Sequence, residues 1–117
     1  MPLITVQSSA APPAPEAASA LLRRLSTTLA QLLGKPESYV MTSLSPRTTM
    51  TFGGSDAPAI YAEVKNVGEL APNLTLELSK TLSAILSEGL GVPKNRIYIE
   101  LQSVKGHLWG FDGGTFG

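Results

Sequence analysis

Gly34-Lys35-Pro36-Glu37-Ser38-Tyr39-Val40-Met41 and, 57 positions later (34 to 91), Gly91-Val92-Pro93-Lys94-Asn95-Arg96-Ile97-Tyr98 are one pattern used twice. Each copy places a glycine two residues ahead of a proline and then passes into aromatic and β-branched residues. Each follows an apolar stretch of helical period and precedes a strand pattern, so the chain reads as two halves of strand, helix and strand. A helical crossover of this length requires the two strands it joins to be parallel and the crossover right-handed.

Working outward, the first helix is expected from Glu16 to Leu33, where Ala18, Leu21, Leu22, Leu25, Leu29, Leu32 and Leu33 form one stripe. A proline-rich loop, Ala11-Pro12-Pro13-Ala14-Pro15, delivers Pro15 to the first turn, where its missing N–H costs nothing. Gly34 ends this helix. The second is expected from near Pro72, with Leu74, Leu78, Leu82, Ile85 and Leu86 as its stripe and Gly91 or Gly89 as its stop. Strands are expected over 1–6, 38–44, 59–65 and 96–101, with a further short one over 48–52, and Asn66-Val67-Gly68 reads as punctuation. The expectation is one α/β (α+β) domain over 1–117. Its halves lie at about 2–52 and 58–102, its glycine-rich tail at 103–117, and its four-stranded mixed sheet carries both helices on one face.

Hydrophobic residues make up 43% of the 117 and charged residues only 15%, so part of the surface is expected to be covered by other subunits. No remaining segment is large enough to cover the second face of the sheet, which points the same way. Nine Lys and Arg balance nine Asp and Glu with no basic run, which argues against nucleic acid as a partner. The absence of cysteine excludes disulfides, thiolate metal sites and thiol catalysis. The single histidine, His107, cannot by itself make a metal site. No apolar run has the roughly 18 residues of a membrane span. The N-terminus lacks the basic and apolar regions of a signal peptide, so the cytoplasm is the expected compartment.

The opening Met1-Pro2-Leu3-Ile4-Thr5-Val6 carries the chemistry. Pro2 is small enough for Met1 to be removed, which would leave an N-terminal proline whose nitrogen is a secondary amine. Every other backbone nitrogen is an amide and cannot act as a base. A chain-terminal amine titrates near about 8 in small peptides, and burial or a neighbouring cation lowers that value.

In this order, Met1-Pro2 opening a strand, Gly34-Lys35-Pro36, Phe52-Gly53-Gly54-Ser55, Arg96-Ile97-Tyr98-Ile99 and Thr115-Phe116 resemble the macrophage migration inhibitory factor (MIF) family of the tautomerase superfamily. The resemblance spans essentially the whole chain. It implies a homotrimer with an active site at each subunit interface, and an intramolecular oxidoreductase that interconverts keto and enol groups without a cofactor or metal. Its substrates would be small aryl α-keto acids such as phenylpyruvate, and dopachrome derivatives in MIF itself. It also implies that Pro2 is the catalytic base and that Lys35 holds the substrate carboxylate, assisted by the backbone N–H of Val67. Tyr98 would come from a neighbouring subunit, and Tyr39, Phe111 and Phe116 would line the hydrophobic mouth. Export without a signal peptide belongs to the same resemblance.

Two departures from the family pattern stand out. Glu100 occupies the place of an asparagine, where a carboxylate weakens binding of an anion unless it points away or is paired. Ala59 and Ala62 replace the paired cysteines of MIF, so thiol oxidoreductase activity is not expected. Taken singly, Lys35 reads as a solvated loop lysine and Tyr98 as strand packing; they gain meaning only together with Pro2. A different class of function is a MIF-like protein that engages a protein receptor with vestigial tautomerase activity. Hydration or dehalogenation of a small unsaturated acid is a weaker reading, since Arg23, Arg24, Arg47 and Arg96 have no evident place in the site.

Overall fold

The computed structural model covers Met1–Gly117 and is built from two βαβ units. Strand β1 (Pro2–Ser8), helix α1 (Pro15–Leu33) and strand β2 (Met41–Ser45) form the first, and β3 (Ile60–Val67), α2 (Pro72–Leu90) and β4 (Ile97–Val104) the second. The 57-position offset runs through the helices as well, Pro15 and Leu33 mapping onto Pro72 and Leu90. Within each unit the strands pair in parallel, and β1 meets β3 antiparallel, which gives one mixed sheet in the order β2-β1-β3-β4.

Both helices start on a proline in the first turn and stop on a left-handed glycine, Gly34 at φ 63° and Gly91 at φ 68°. Their apolar stripes pack on one face of the sheet. Leu25 and Leu29 of α1 and Leu78, Leu82 and Leu86 of α2 are fully buried against Ile4, Val6, Ile60, Ala62 and Val64. Truncating any one of these leucines to alanine is expected to cost about 2–5 kcal/mol, since the lost contacts and the cavity add.

The opposite face carries Thr5, Gln7, Ser43, Tyr61, Glu63, Lys65, Tyr98, Glu100 and Gln102, all at least partly exposed in the single chain. It is mostly polar, with Leu3 and Met41 at the Pro2 end, unlike the aliphatic second face of a doubly covered parallel sheet.

Several sequence expectations are corrected. The segment 48–52 is not a strand, and it pairs with none of the strands of the sheet. Its only bridge joins Phe52 to Ser55, and the Thr48 N–H donates to the Ser8 carbonyl at the end of β1. Residues Glu37–Tyr39 form a 3-10 turn, so β2 begins at Met41. Asn66 and Val67 continue β3, since partners remain for them in Pro2 and in Ser103 and Val104. The tail folds back as a hairpin, β5 (Gly110–Phe111) with β6 (Gly114–Thr115), turned at Asp112 and Gly113.

Candidate active site

The antiparallel centre of the sheet brings the start of β1 against the end of β3, so that Pro2 stands opposite Asn66. A strand start is where a residue without an N–H is tolerated, and Pro2 is less than 2% exposed. Beyond the left-handed Gly34, the Lys35 N–H still bonds to the Ala30 carbonyl at 3.0 Å, which turns the lysine away from the helix axis. Its Nζ approaches to 3.6 Å of the point where a Cβ on Gly68 would stand, just past the end of β3.

The Met1 α-amine lies near this corner. Burial, and after it the Lys35 ammonium, hold the amine below its ordinary value of 8.0. It stands one residue ahead of the secondary amine that removal of Met1 would expose on Pro2.

Three aromatic rings gather beside Pro2. Tyr39, at the end of the 3-10 turn, meets Phe111 and Phe116 edge-on at 5.3 and 5.9 Å between centroids, and those two rings stack at 5.4 Å. Pro2, Ser38, Tyr39, Met41, Trp109 and Phe111 are among the walls of a cleft of about 250 Å³. Phe116 is fixed by its N–H, which donates to the carbonyls of Gly106 and Trp109 at 3.1 and 3.3 Å. A Cβ on Gly106 would come to 2.6 Å of the Phe116 carbonyl oxygen, so only glycine permits this closure. Val67 and Phe116 share an adjoining groove with Gly68 and His107.

Tyr98 does not join this group within one chain. Tyr98 pairs with Tyr61 and Tyr61 with Gln7, five residues along β1 from Pro2, which places it roughly 17 Å away along the strands. There its ring lies 4.8 Å from that of Phe52. Arg96 holds this end together by donating to the carbonyls of Phe52, Ser55, Ala57 and Pro58 at 2.9 to 3.2 Å, with its guanidinium 5.1 Å from the Phe52 ring centre.

Glu100, two residues on from Tyr98, faces the same side and pairs in register with Glu63. The Tyr61 hydroxyl donates to Glu63 Oε1 at 2.9 Å. That bond first, then burial and the charges of Glu100 and Glu63, push the phenol above its ordinary 10.0.

Pro2, Lys35, Tyr39, Phe111, Phe116 and Val67 thus fall at one end of the sheet and Tyr98 at the other. Asn66 was not singled out from the sequence, although a signal existed. Ile60, Ala62 and Val64 occupy every second position on the core face, and Asn66 is the next member of that series.

A family profile described as macrophage migration inhibitory factor (MIF) matches residues 1–117. The MIF homolog of Brugia malayi is 35% identical over 117 residues, covering 100% of both chains. That of Trichuris trichiura is 34% identical over 116 residues, covering 99% of this chain and 100% of the other. Among solved structures, the MIF homologue from Prochlorococcus marinus superposes with a TM-score of 0.92 at 46% identity, covering 98% of this chain and 99% of that one. MIF of Toxoplasma gondii gives 0.91 at 34% identity, covering 97% and 99%.

Proposed function

Because the chain belongs to the macrophage migration inhibitory factor family, we propose that it is a keto–enol tautomerase for aryl α-keto acids of the phenylpyruvate type, with the amine of Pro2 as general base. The observation that carries this reading is the meeting of the buried Pro2, the Lys35 ammonium and three aromatic rings at one end of the sheet.

Each group has a task in the proton shift. Removal of Met1 converts the Pro2 nitrogen from an amide into a secondary amine. Burial and the Lys35 charge, which hold the Met1 amine below its ordinary value, would also disfavour the protonated form of the buried Pro2 amine and so favour the free base. Lys35 also attracts the substrate carboxylate, and the backbone N–H of Val67 assists it. Tyr39, Phe111 and Phe116 receive the aryl ring. The base takes a proton from the carbon beside the keto group, and charge develops on the keto oxygen. That oxygen needs a donor, and Tyr98 supplies it from a neighbouring subunit of a homotrimer, since within its own chain Tyr98 lies at the far end of the sheet. The polar second face, which nothing in one chain covers, suits the interior of such an assembly.

The test is a phenylpyruvate tautomerase assay on protein whose intact mass shows Met1 removed, beside Pro2→Gly and Lys35→Ala. Loss of a base of this kind is expected to lower kcat/KM about 10²- to 10⁴-fold. An inactive but correctly processed and folded wild type would overturn the enzyme reading and leave a receptor-binding protein as the better one.

A further inference from the structure

The side chain of Asn66 is the least explained feature of this end of the molecule. It is 2% exposed, and its Oδ1 is fully buried without a hydrogen-bond partner. A buried amide oxygen is seldom left unpaired in a native structure, so a donor belongs beside it. The surroundings narrow the choice of donor. The Nδ2 end lies 3.6 Å from the point where a Cβ on Gly68 would stand, the same point that Lys35 Nζ approaches to 3.6 Å. Both groups thus border Gly68, and Lys35 Nζ makes no hydrogen bond to the Asn66 oxygen.

Two residues flank Asn66 across the sheet, Ser103 on β4 and Pro2 on β1. The Ser103 hydroxyl donates to the Gly68 carbonyl and is taken. Pro2 is directly opposite on the same buried face, where facing Cβ atoms are about 4.5–5.5 Å apart, within reach of a side-chain amide. While Met1 is attached the Pro2 nitrogen has no hydrogen to give. Once Met1 is removed it becomes the one group opposite Asn66 with an N–H to donate.

We infer that Asn66 is a positioning residue for the N-terminal base: its Oδ1 accepts a hydrogen bond from the Pro2 amine of the processed chain and fixes the direction of the nitrogen lone pair. This rests on the reading of Pro2 as the base, and it adds a residue that holds the base in place. An amide oxygen accepting from the amine favours the protonated form, so Asn66 opposes the effect of Lys35. The other charged or titratable groups nearby are Glu69, Lys105 and His107, which border the Gly68 groove.

The experiment is an NMR titration of the Pro2 nitrogen in processed protein carrying ¹⁵N-proline, for wild type, Asn66→Leu and Asn66→Asp, together with the pH profile of kcat/KM. Asn66→Leu keeps the volume and removes the acceptor; the Pro2 midpoint should fall by about half a pH unit or more. Asn66→Asp places a carboxylate there and should raise it by about one unit or more. A midpoint that moves in Asn66→Asp but not in Asn66→Leu would show proximity without a hydrogen bond and overturn the inference, as would no movement in either. If the leucine variant does not fold, Asn66→Ser removes most of the reach and should lower the midpoint in the same direction. The titration needs no turnover, so an inactive wild type would remove the tautomerase reading while the Pro2–Asn66 contact is still decided.

Discussion

The turn after α1 and the turn after α2 share one backbone and differ in almost every side chain. Gly34 and Gly91 are both left-handed, Pro36 and Pro93 are both extended, and each is followed by a three-residue 3-10 turn into a strand. In the first copy Lys35 follows the glycine and reaches towards Gly68, while Tyr39 closes the turn and lines the Pro2 cleft. In the second copy those slots hold Val92, fully buried, and Arg96, whose hydrogen bonds lace the loop from Phe52 to Pro58. Pro2 itself maps onto the buried Ala59. A glycine, one free position and a proline therefore dictate the turn, while the free position and the third residue after the proline decide whether it is a site or a strut.

Exchanging the residue after the glycine tests this most severely. Val92→Lys would bury an unpaired ammonium where no solvent reaches, and the expected loss is about 3–5 kcal/mol or outright failure to fold, read by chemical denaturation. A Val92→Lys protein with wild-type stability would show that the second turn is as open as the first. The reciprocal Lys35→Val should leave the fold intact and lower kcat/KM roughly 10- to 100-fold, the worth of a hydrogen bond to a charged group. It also carries a pH signature. Burial and then the Lys35 cation lower the pKa of the Met1 amine; if Lys35 acts in the same way on the Pro2 amine of the processed chain, removing it raises the midpoint at which the free base forms. The deficit should deepen as pH falls below that midpoint and shrink above it; a constant ratio across pH would restrict Lys35 to substrate binding.

The same contrast explains how much was legible in the sequence. The βαβ units, both helices with their proline starts and glycine stops, and the parallel pairings follow from local period and turn chemistry, which neighbouring residues determine. The segment 48–52 has strand-like residues but joins no strand: the Thr48 N–H turns back on Ser8, Phe52 pairs locally with Ser55, and the Phe52 carbonyl is tied down by Arg96. Strand formation depends on what lies opposite, which no local pattern encodes. Asn66 lies on the alternation of Ile60, Ala62 and Val64, but an asparagine two residues before a glycine reads locally as a turn, and only its partners Pro2 and Ser103 show that β3 continues through it. Lys35 and Tyr39 stood out through likeness to a family, not through pattern, because the second copy wears Val92 and Arg96 on an indistinguishable backbone.

Arg96→Ala removes the strut without touching the Pro2 end. Four carbonyls lose their donor, and the Phe52 ring loses the guanidinium beside it, so a destabilisation of about 1–3 kcal/mol is expected. Under the trimer reading the freed loop also unsettles Tyr98, so kcat should fall while the Pro2 amine titrates as before. A variant that shifts the Pro2 titration would mean that the two ends of the sheet are coupled within one chain.

The smallest effect is expected at Tyr39, the counterpart of Arg96. Its ring meets Phe111 and Phe116 edge-on, contacts worth about 0.5–1.5 kcal/mol each beyond their area, and leucine retains much of the apolar surface while losing the ring geometry. Tyr39→Leu should therefore raise KM for an aryl substrate about 2- to 10-fold, leaving kcat and the pH midpoint where they were. An α-keto acid without a ring should show a smaller penalty, because it has no aromatic face to place against the trio. Were kcat to fall at unchanged KM, Tyr39 would be acting on the reacting atoms, and the division between a ring-holding wall and a proton-moving corner would have to be redrawn.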